Sequence, residues 1–195
     1  MSLKLGSLAA ASAAVAALAC KRARKGGAIL RVVRAQSTAR VPDVIAPPPQ
    51  QKVKIALCQL KVGTDKDTNI ATAKKAISTA AAEGARMVIL PEMWNCPYAN
   101  ESFPIYAEDI DAGDAPSASM LAEAAKEHSV VVVGGSIPER HEGSLYNTCC
   151  VFSTTGEILA KHRKVHLFDI NIPGKISFKE SDTLTAGDQG TVVDT

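Results

Sequence analysis

The sequence predicts an α/β layered domain, because short apolar segments of strand length alternate with helical segments in the order β-α-β-α-β and a hairpin follows them. Parallel strands joined in this way need helices to cover the sheet. The chain has 46% hydrophobic and 22% charged side chains. That composition is typical of a globular protein and excludes the disordered, collagenous and membrane-embedded classes.

Residues 1–40 are predicted to be a transit peptide. They contain eight basic residues and no acidic one, and basic, Ser-rich, acid-poor segments are typical of organelle targeting. The apolar run 8–19 has 12 residues, whereas a membrane-spanning helix needs roughly 20. The triplet 33–35 is similar to a plastid processing site, so we expect a plastid location, with the mitochondrion as the alternative. A secretory signal or a disordered basic tail stays open.

Residues 41–51 are predicted to be a linker, because three successive prolines favour an extended chain. The folded domain is therefore expected over residues 52–195. Outside the first forty residues, 14 basic residues face all 20 acidic ones. A surface that follows phosphate groups needs a basic excess, so we expect no nucleic-acid partner. We also expect no membrane partner.

The first strand and helix are predicted from Val53 to Gly84. Val53–Leu60 has the length and alternation of a strand, and either Asp65 or Asp67 can accept hydrogen bonds from the first turn of a following helix. Gly84 ends that helix, where a left-handed residue is favoured. The inward face is predicted to consist of Ile70, Ala73, Ile77, Ala80 and Ala81.

Two apolar strands are predicted on either side of a second helix. Met87–Leu90 and Val130–Val133 are wholly apolar, which indicates burial on both faces of the sheet. The helix begins at Pro116, a favoured first position, and ends near His128. Its inward residues are predicted to be Met120, Leu121, Ala124 and Ala125. Gly134 and Gly135 close the second strand.

A hairpin is predicted for the segment after these strands. Leu145–Phe152 and Ile158–Lys161 have strand character and flank a polar loop in which Gly156 supplies a positive φ.

Glu92 is a candidate catalytic residue because it follows an apolar strand directly after Pro91. In open α/β sheets, ligands bind in crevices at the carboxyl ends of strands. A partly desolvated carboxylate in such a crevice is suited to act as a general base. From composition alone, a solvated or ion-paired loop acid is the more ordinary interpretation.

Lys164 is a second candidate. It lies in the segment 161–168, where basic and apolar residues alternate. In an extended segment, Lys164 and His166 would share one side, which could face a site. Most such segments are simply solvated. His128 is interpreted as a residue at a helix end, and His141 as an exposed loop residue.

The cysteines indicate a reducing compartment, because no Cys-x-x-Cys pair suggests a zinc or redox site. One of the five, Cys20, lies in the predicted transit peptide. Cys58, Cys149 and Cys150 are interpreted as buried apolar side chains. Cys96 lies four residues after Glu92 and is interpreted as part of a pocket wall rather than as a nucleophile.

Six segments occur in a fixed order: KIALCQL (54–60), VILPEMWNCPY (88–98), VVGGSIPE (132–139), LYNTC (145–149), HRKVHLFDINIPGKISFKES (162–181) and TLTAGD (183–188). Together they resemble the carbon–nitrogen hydrolase (nitrilase) superfamily, and within it most closely the ω-amidase branch. The resemblance covers residues 53–195. It implies a nitrilase-like α-β-β-α sandwich, of which this chain would be the N-terminal half.

The resemblance also implies roles for four residues. Glu92 matches the general base, Lys164 the catalytic lysine and Glu180 a second glutamate near the reacting centre, and Tyr98 would line the amide pocket. The implied reaction is cleavage of the ω-amide of dicarboxylic acid monoamides, such as 2-oxoglutaramate and 2-oxosuccinamate, through a cysteine thioester. It calls for no metal and no organic cofactor. The partner is a small-molecule amide, and a homo-oligomer is expected for the full-length protein.

One family feature is missing from the sequence. The nucleophilic cysteine of the family should follow a stretch like Thr191–Thr195, and no cysteine of this chain matches that position. We therefore expect the 195-residue chain alone to be inactive, whether its end reflects a real truncation or an incomplete gene. Two other interpretations stay open, namely another superfamily branch, such as a nitrilase or an N-carbamoyl amidohydrolase, and a non-catalytic subunit that associates with full-length chains.

Overall fold

The computed structural model of the protein describes residues 29–32 and 52–195. Seven described strands form one mixed sheet in the order β1-β2-β3-β4-β6-β5, with β7 paired to the other edge of β6, and β8 and β9 form a separate hairpin. The strands are β1 Ile29–Val32, β2 Ile55–Gln59, β3 Met87–Ile89, β4 Val131–Val133, β5 Ile137–His141, β6 Ser144–Phe152, β7 Ile158–Arg163, β8 Asp169–Ile172 and β9 Ile176–Lys179. The helices are α1 Lys66–Ala82, α2 Phe103–Tyr106 and α3 Pro116–His128.

Helix α1 begins and ends where its sequence predicts. The side chain of Asp65 accepts a hydrogen bond of 2.6 Å from the amide of Thr68 in the first turn. Gly84, with φ of 84°, lies just beyond the helix in the left-handed region that favours glycine. Strands β2 and β3, on either side of α1, are parallel, as a crossover helix requires.

Helix α3 confirms the second helical prediction at both ends, from Pro116 to His128. Its C-cap, Ser129, adopts a left-handed conformation with φ of 52°. The four residues predicted to face inward are all buried: Met120, Leu121, Ala124 and Ala125. The α3 crossover brings β4 parallel to β3, so three neighbouring strands run in the same direction.

The sheet is covered unequally on its two faces, which corrects the prediction that β3 and β4 are buried on both. Val88 and Val132 are fully buried in the core beneath α1 and α3. Met87, Ile89, Val131 and Val133 alternate with them along the strands and are only half-buried. In the part of the chain that the structure describes, both long helices pack against one face, and the second sheet of the predicted sandwich is not among these residues.

Three further elements differ from the predictions. Strand β5 lies between β4 and β6 in the chain and pairs antiparallel with β6, and the β8–β9 hairpin occupies residues 169–179. Strand β1 pairs with β2 although folded structure was predicted to begin near Lys52, because a short apolar segment can hydrogen-bond to the edge of the sheet. The rest of the predicted transit peptide and the linker lie outside the described residues. Within the described residues, no helix is long and apolar enough to cross a membrane.

Candidate active site

The loop that carries Glu92 leaves the end of β3 and is held by the segment after β4. Ser136 donates its amide to the carbonyl of Pro91 at 3.2 Å, and its hydroxyl accepts from the amide of Met93 at 3.1 Å. The indole of Trp94 donates to the carbonyl of Gly134 at 2.7 Å. These three bonds fix the turn, so the Glu92 side chain points away from the core and is 48% exposed.

The close approach of these two loops depends on Gly135. Its φ is 61°, and a Cβ atom at this position would lie 2.0 Å from the carbonyl oxygen of Pro91. Backbone atoms cannot yield easily, so only glycine fits here. From the sequence, Gly135 is predictable as a strand end but not as the support of the Glu92 loop.

Lys164 follows β7 directly and faces Glu92. Its amide donates to the carbonyl of Asn147 at 2.8 Å, which continues the pairing of β7 with β6. Its Nζ atom lies 2.9 Å from Glu92 Oε1 and 2.9 Å from Glu180 Oε2. The chain bends at residues 165–166, and His166 is exposed. The predicted extended segment with Lys164 and His166 on one side is therefore wrong, because the strand ends at Arg163.

Glu180 is fully buried and both of its oxygens are occupied. Its Oε1 accepts from the hydroxyl of Tyr98 at 2.6 Å, and its Oε2 accepts from the amide of Phe168 at 2.5 Å and from Lys164. The residue begins a 3-10 turn just after β9. Glu180 thus ties the base of the β8–β9 hairpin to Lys164.

Tyr98 completes the group of four residues that the sequence analysis selected. Its ring packs edge-on against Phe103 and tilted against Phe178, with centroids 5.7 and 5.6 Å away. Its hydroxyl points at Glu180 and lies 3.4 Å from Glu92 Oε1. The structure brings Glu92, Lys164, Glu180 and Tyr98 together into one cluster, although they come from separate loops.

Charge and burial set the protonation states in this cluster. Burial works to lower the pKa of Lys164, but the carboxylates of Glu180 and Glu92 outweigh it and the pKa is raised. Burial works to raise the pKa of Glu180, yet donors from Lys164, Phe168 and Tyr98 lower it overall. The pKa of Tyr98 is raised, first by burial and then by its bond to Glu180. At neutral pH the cluster therefore holds an ammonium, a carboxylate at Glu180 and a neutral phenol.

The four described cysteines do not provide a thiolate for this site. Burial raises the pKa of Cys96 to about 12, and Cys96 lies fully buried in an apolar cluster with Met93 and Phe103. Burial likewise raises the pKa of Cys58 and of Cys149 to about 11 and that of Cys150 to about 12. Because the thiolate is the reactive form, these protonated thiols are poor nucleophiles at neutral pH. Cys96 is a core residue with 0% exposure, so it does not line a pocket as the sequence predicts, because its side chain packs inside the apolar cluster.

A second polar cluster is formed by residues of β5 and β7 together with Asp111, which lies in the segment before α3. Ligand atoms of Asp111, Glu139 and His141 lie within 4.8 Å of one another, as a metal site would require. However, Lys161 Nζ lies 2.6 Å from Asp111 and 2.9 Å from Glu139, and Arg163 Nε lies 2.8 Å from Glu139. These cations already neutralise the carboxylates, so the cluster is an ion-pair network. His141 contacts Asp111 at 3.1 Å and is half-buried, which corrects its interpretation as an exposed loop residue.

One residue that contacts this candidate site was not predicted from the sequence. Asn147 lies on β6, is 3% exposed, and donates from Nδ2 to Glu92 Oε1 at 2.8 Å. A signal was present, because a polar side chain lies among the inward-facing positions of a long strand next to Leu145. That pattern indicates a buried hydrogen bond without identifying its partner.

Comparison with known proteins identifies the family of the chain. Residues 54–195 match the family model described as "Carbon-nitrogen hydrolase". The chain is 59% identical over 161 residues to "Omega-amidase, chloroplastic" of Arabidopsis thaliana, which covers 80% of this chain and 44% of that protein. It is 51% identical over 142 residues to "Omega-amidase NIT2" of Bos taurus, covering 73% of this chain and 50% of that protein. The chain thus spans about half the length of these curated relatives.

The fold also resembles that of a solved structure over part of both chains. The Saccharomyces cerevisiae protein Nit3, described as a member of branch 10 of the nitrilase superfamily, superposes with a TM-score of 0.64 at 34% identity. The alignment covers 73% of this chain and 51% of that one. The mixed α/β architecture is therefore that of an incomplete nitrilase-like fold. From its matched residues and its fold, the chain belongs to the carbon–nitrogen hydrolase family and is similar to its ω-amidases.

Proposed function

We propose that this chain supplies the Glu- and Lys-bearing N-terminal part of an ω-amidase. The enzyme would cleave the ω-amide of dicarboxylic acid monoamides, such as 2-oxoglutaramate and 2-oxosuccinamate, to the dicarboxylate and ammonia. The observation that supports this most is the position of Lys164 Nζ, 2.9 Å from both Glu92 and Glu180. The names of the relatives support the substrate class.

The proposed reaction is acyl transfer through a cysteine that follows the residues of this chain. Glu92 takes the thiol proton, the thiolate attacks the amide carbonyl, and Glu92 then delivers the proton to the departing ammonia. Water attacks the resulting thioester and Glu92 accepts a proton from it. The C–S bond then breaks, the dicarboxylate is released, and Glu92 returns the proton to the cysteine sulfur. The half-exposed carboxylate of Glu92 suits this exchange, since substrate and water can reach it.

Lys164 and Glu180 have different tasks in this proposal. The Lys164 ammonium stabilises the negative charge that develops on the carbonyl oxygen, a contribution of about 2.7–4 kcal/mol for one such donor in other enzymes. Glu180 holds Lys164 in place, because it is buried and both of its oxygens are already occupied. Tyr98 closes one side of the pocket.

A chimaera tests the proposal directly. Residues 52–195 replace the matching part of the Arabidopsis relative, whose remaining half supplies a C-terminal partner. Ammonia release from 2-oxoglutaramate is expected from this chimaera and is expected to fall at least about 1,000-fold in Glu92→Gln and in Lys164→Met. Exposed Glu101→Gln serves as the matched control. A folded but inactive chimaera, or an active Glu92→Gln variant, would contradict the proposal.

The location and assembly of the protein are further parts of this proposal. Residues 1–51 fused to a fluorescent protein should direct it to plastids, in keeping with the chloroplastic relative; a mitochondrial or cytosolic signal would contradict this. The 195-residue chain alone should release no ammonia from 2-oxoglutaramate. The chimaera is expected to elute as a homo-oligomer on size exclusion.

A further inference from the structure

Asn147 contacts the residues of the candidate active site through both its side chain and its main chain. Its Nδ2 atom donates to Glu92 Oε1 at 2.8 Å and lies 3.4 Å from Glu180 Oε1. Its main-chain carbonyl accepts a hydrogen bond from the main-chain amide of Lys164 at 2.8 Å. The side chain of Asn147 therefore contacts both carboxylates of the cluster, and its main chain holds the backbone of Lys164.

The neighbours of Asn147 fix the orientation of its amide. Both acceptors are carboxylate oxygens, so the NH₂ group must face them. The residue is 3% exposed and its main chain is paired with Pro138 of β5, so the side chain starts from a rigid strand. A neutral donor adds a hydrogen bond to Glu92 without adding a second positive charge next to Lys164.

The hydrogen bonds of Glu92 are all made by one of its two oxygens. Oε1 accepts from Asn147 and from Lys164 at 2.9 Å, and it lies 3.4 Å from the Tyr98 hydroxyl. Among the residues that the structure describes, Oε2 has no hydrogen-bond partner. In Glu180, by contrast, both oxygens have donors.

We propose that Asn147 is a positioning residue of the hydrolase, which fixes Glu92 by Oε1 and so leaves Oε2 available to accept the proton. This inference rests on the proposed function, because it assigns a task to Glu92 as the base. Lys164 alone could hold Oε1 in several rotations of the carboxylate. A second donor from a different direction restricts that rotation, and a restricted base is held at the distance that proton transfer needs.

Kinetics of the chimaera test this role. Asn147→Leu keeps the approximate volume and removes the donor, so we expect kcat to fall about 10- to 100-fold, the range for loss of a hydrogen bond to a charged group. KM should change less than threefold.

The neighbouring residue on β6 provides a matched control. Thr148 is 1% exposed and donates to Glu139 at 2.6 Å, in the network outside the active site. Thr148→Val also removes a buried hydrogen bond from the same strand, and it should leave both kcat and KM within twofold of the parent values. If Asn147→Leu lowers kcat no more than Thr148→Val does, or raises KM as much as it lowers kcat, Asn147 is not a positioning residue.

A spectroscopic measurement on the 195-residue chain tests the contact without activity. The side-chain NH₂ resonances of Asn147, identified in ¹H–¹⁵N spectra by their loss in Asn147→Leu, should shift in Glu92→Gln and stay in place in Glu101→Gln. Unchanged resonances in Glu92→Gln would overturn the inference. An inactive parent chimaera would count against the proposed function instead, and these resonances would still decide whether Asn147 holds Glu92.

Discussion

Glu92 and Lys164 are 72 residues apart in the sequence, and their side chains form an ion pair of 2.9 Å. The same ammonium lies 2.9 Å from the buried Glu180. Three loops, which follow β3, β7 and β9, therefore meet at one cation. Because the ammonium is shared between two carboxylates, Lys164 stabilises the fold at the same point where we propose that it acts on substrate.

Replacement of Lys164 should therefore cost stability as well as activity. Lys164→Met leaves the fully buried Glu180 with one charged donor fewer, and the free energy of unfolding of the 195-residue chain should fall by about 1.5–3 kcal/mol. Urea denaturation measures this difference. Lys175→Met, in the exposed turn of the β8–β9 hairpin, should change it by less than about 0.5 kcal/mol. Equal effects of the two substitutions would show that Lys164 does not stabilise Glu180.

Substitutions at Gly135 and Gly143 distinguish the cost of a left-handed backbone from the cost of a steric collision. Both have positive φ, of 61° and 80°, but a Cβ atom at Gly143 would meet nothing within 4 Å. Gly143→Ala should cost about 1–2 kcal/mol for the left-handed conformation alone. Gly135→Ala should cost about 2–5 kcal/mol, because its new methyl group also collides with the carbonyl of Pro91. Thermal unfolding of both variants measures the difference, and equal values would contradict the support of the Glu92 loop by Gly135.

The helices were predictable because their ends carry local signals. Asp65 and Pro116 mark the first turns, and Gly84 marks an end, and each acts through atoms within a few residues. Strand β5 has no such local signal. Pro138 and the charged residues after it lack the apolar alternation of a strand. The segment is extended because β6 supplies its hydrogen bonds.

The residues of the candidate active site were selected by resemblance and not by their spacing. Glu92, Lys164 and Glu180 are brought together by the order of strands in the sheet, and no local pattern encodes distances between loops so far apart in the chain. Asn147 was missed for a related reason. A buried polar residue in a strand must have a partner, but that partner lies on another element, which only the fold identifies.

Tyr98 is expected to act through its hydroxyl as well as through its ring. Tyr98→Phe keeps the packing against Phe103 and Phe178 and removes the donor to Glu180. In the chimaera, kcat should fall about 10-fold with little change in KM, since Glu180 then holds Lys164 less firmly. Tyr106→Phe, which removes a hydroxyl bonded to Thr64 away from the cluster, should have no such effect. A change in KM alone would mean that Tyr98 only lines the pocket.

The network around Glu139 predicts how stability depends on pH. Burial works to raise the pKa of Glu139, but donors from Arg163, Thr148 and Lys161 outweigh it and lower the pKa to about 2. Because the folded value lies below the ordinary 4.5, the stability from this carboxylate is fully present above about pH 4.5. It is lost as the pH falls from there towards 2.

Glu139→Gln should therefore be less stable than the parent chain by about 3–5 kcal/mol at pH 7, since Arg163 and Lys161 then lose their buried partner. The deficit should shrink steadily below pH 4.5, because protonation removes the same charge from the parent. Urea denaturation at a series of pH values measures both curves, with exposed Glu123→Gln on α3 as the control. A deficit that stays constant from pH 7 to pH 3 would mean that shape rather than charge holds Glu139 in place.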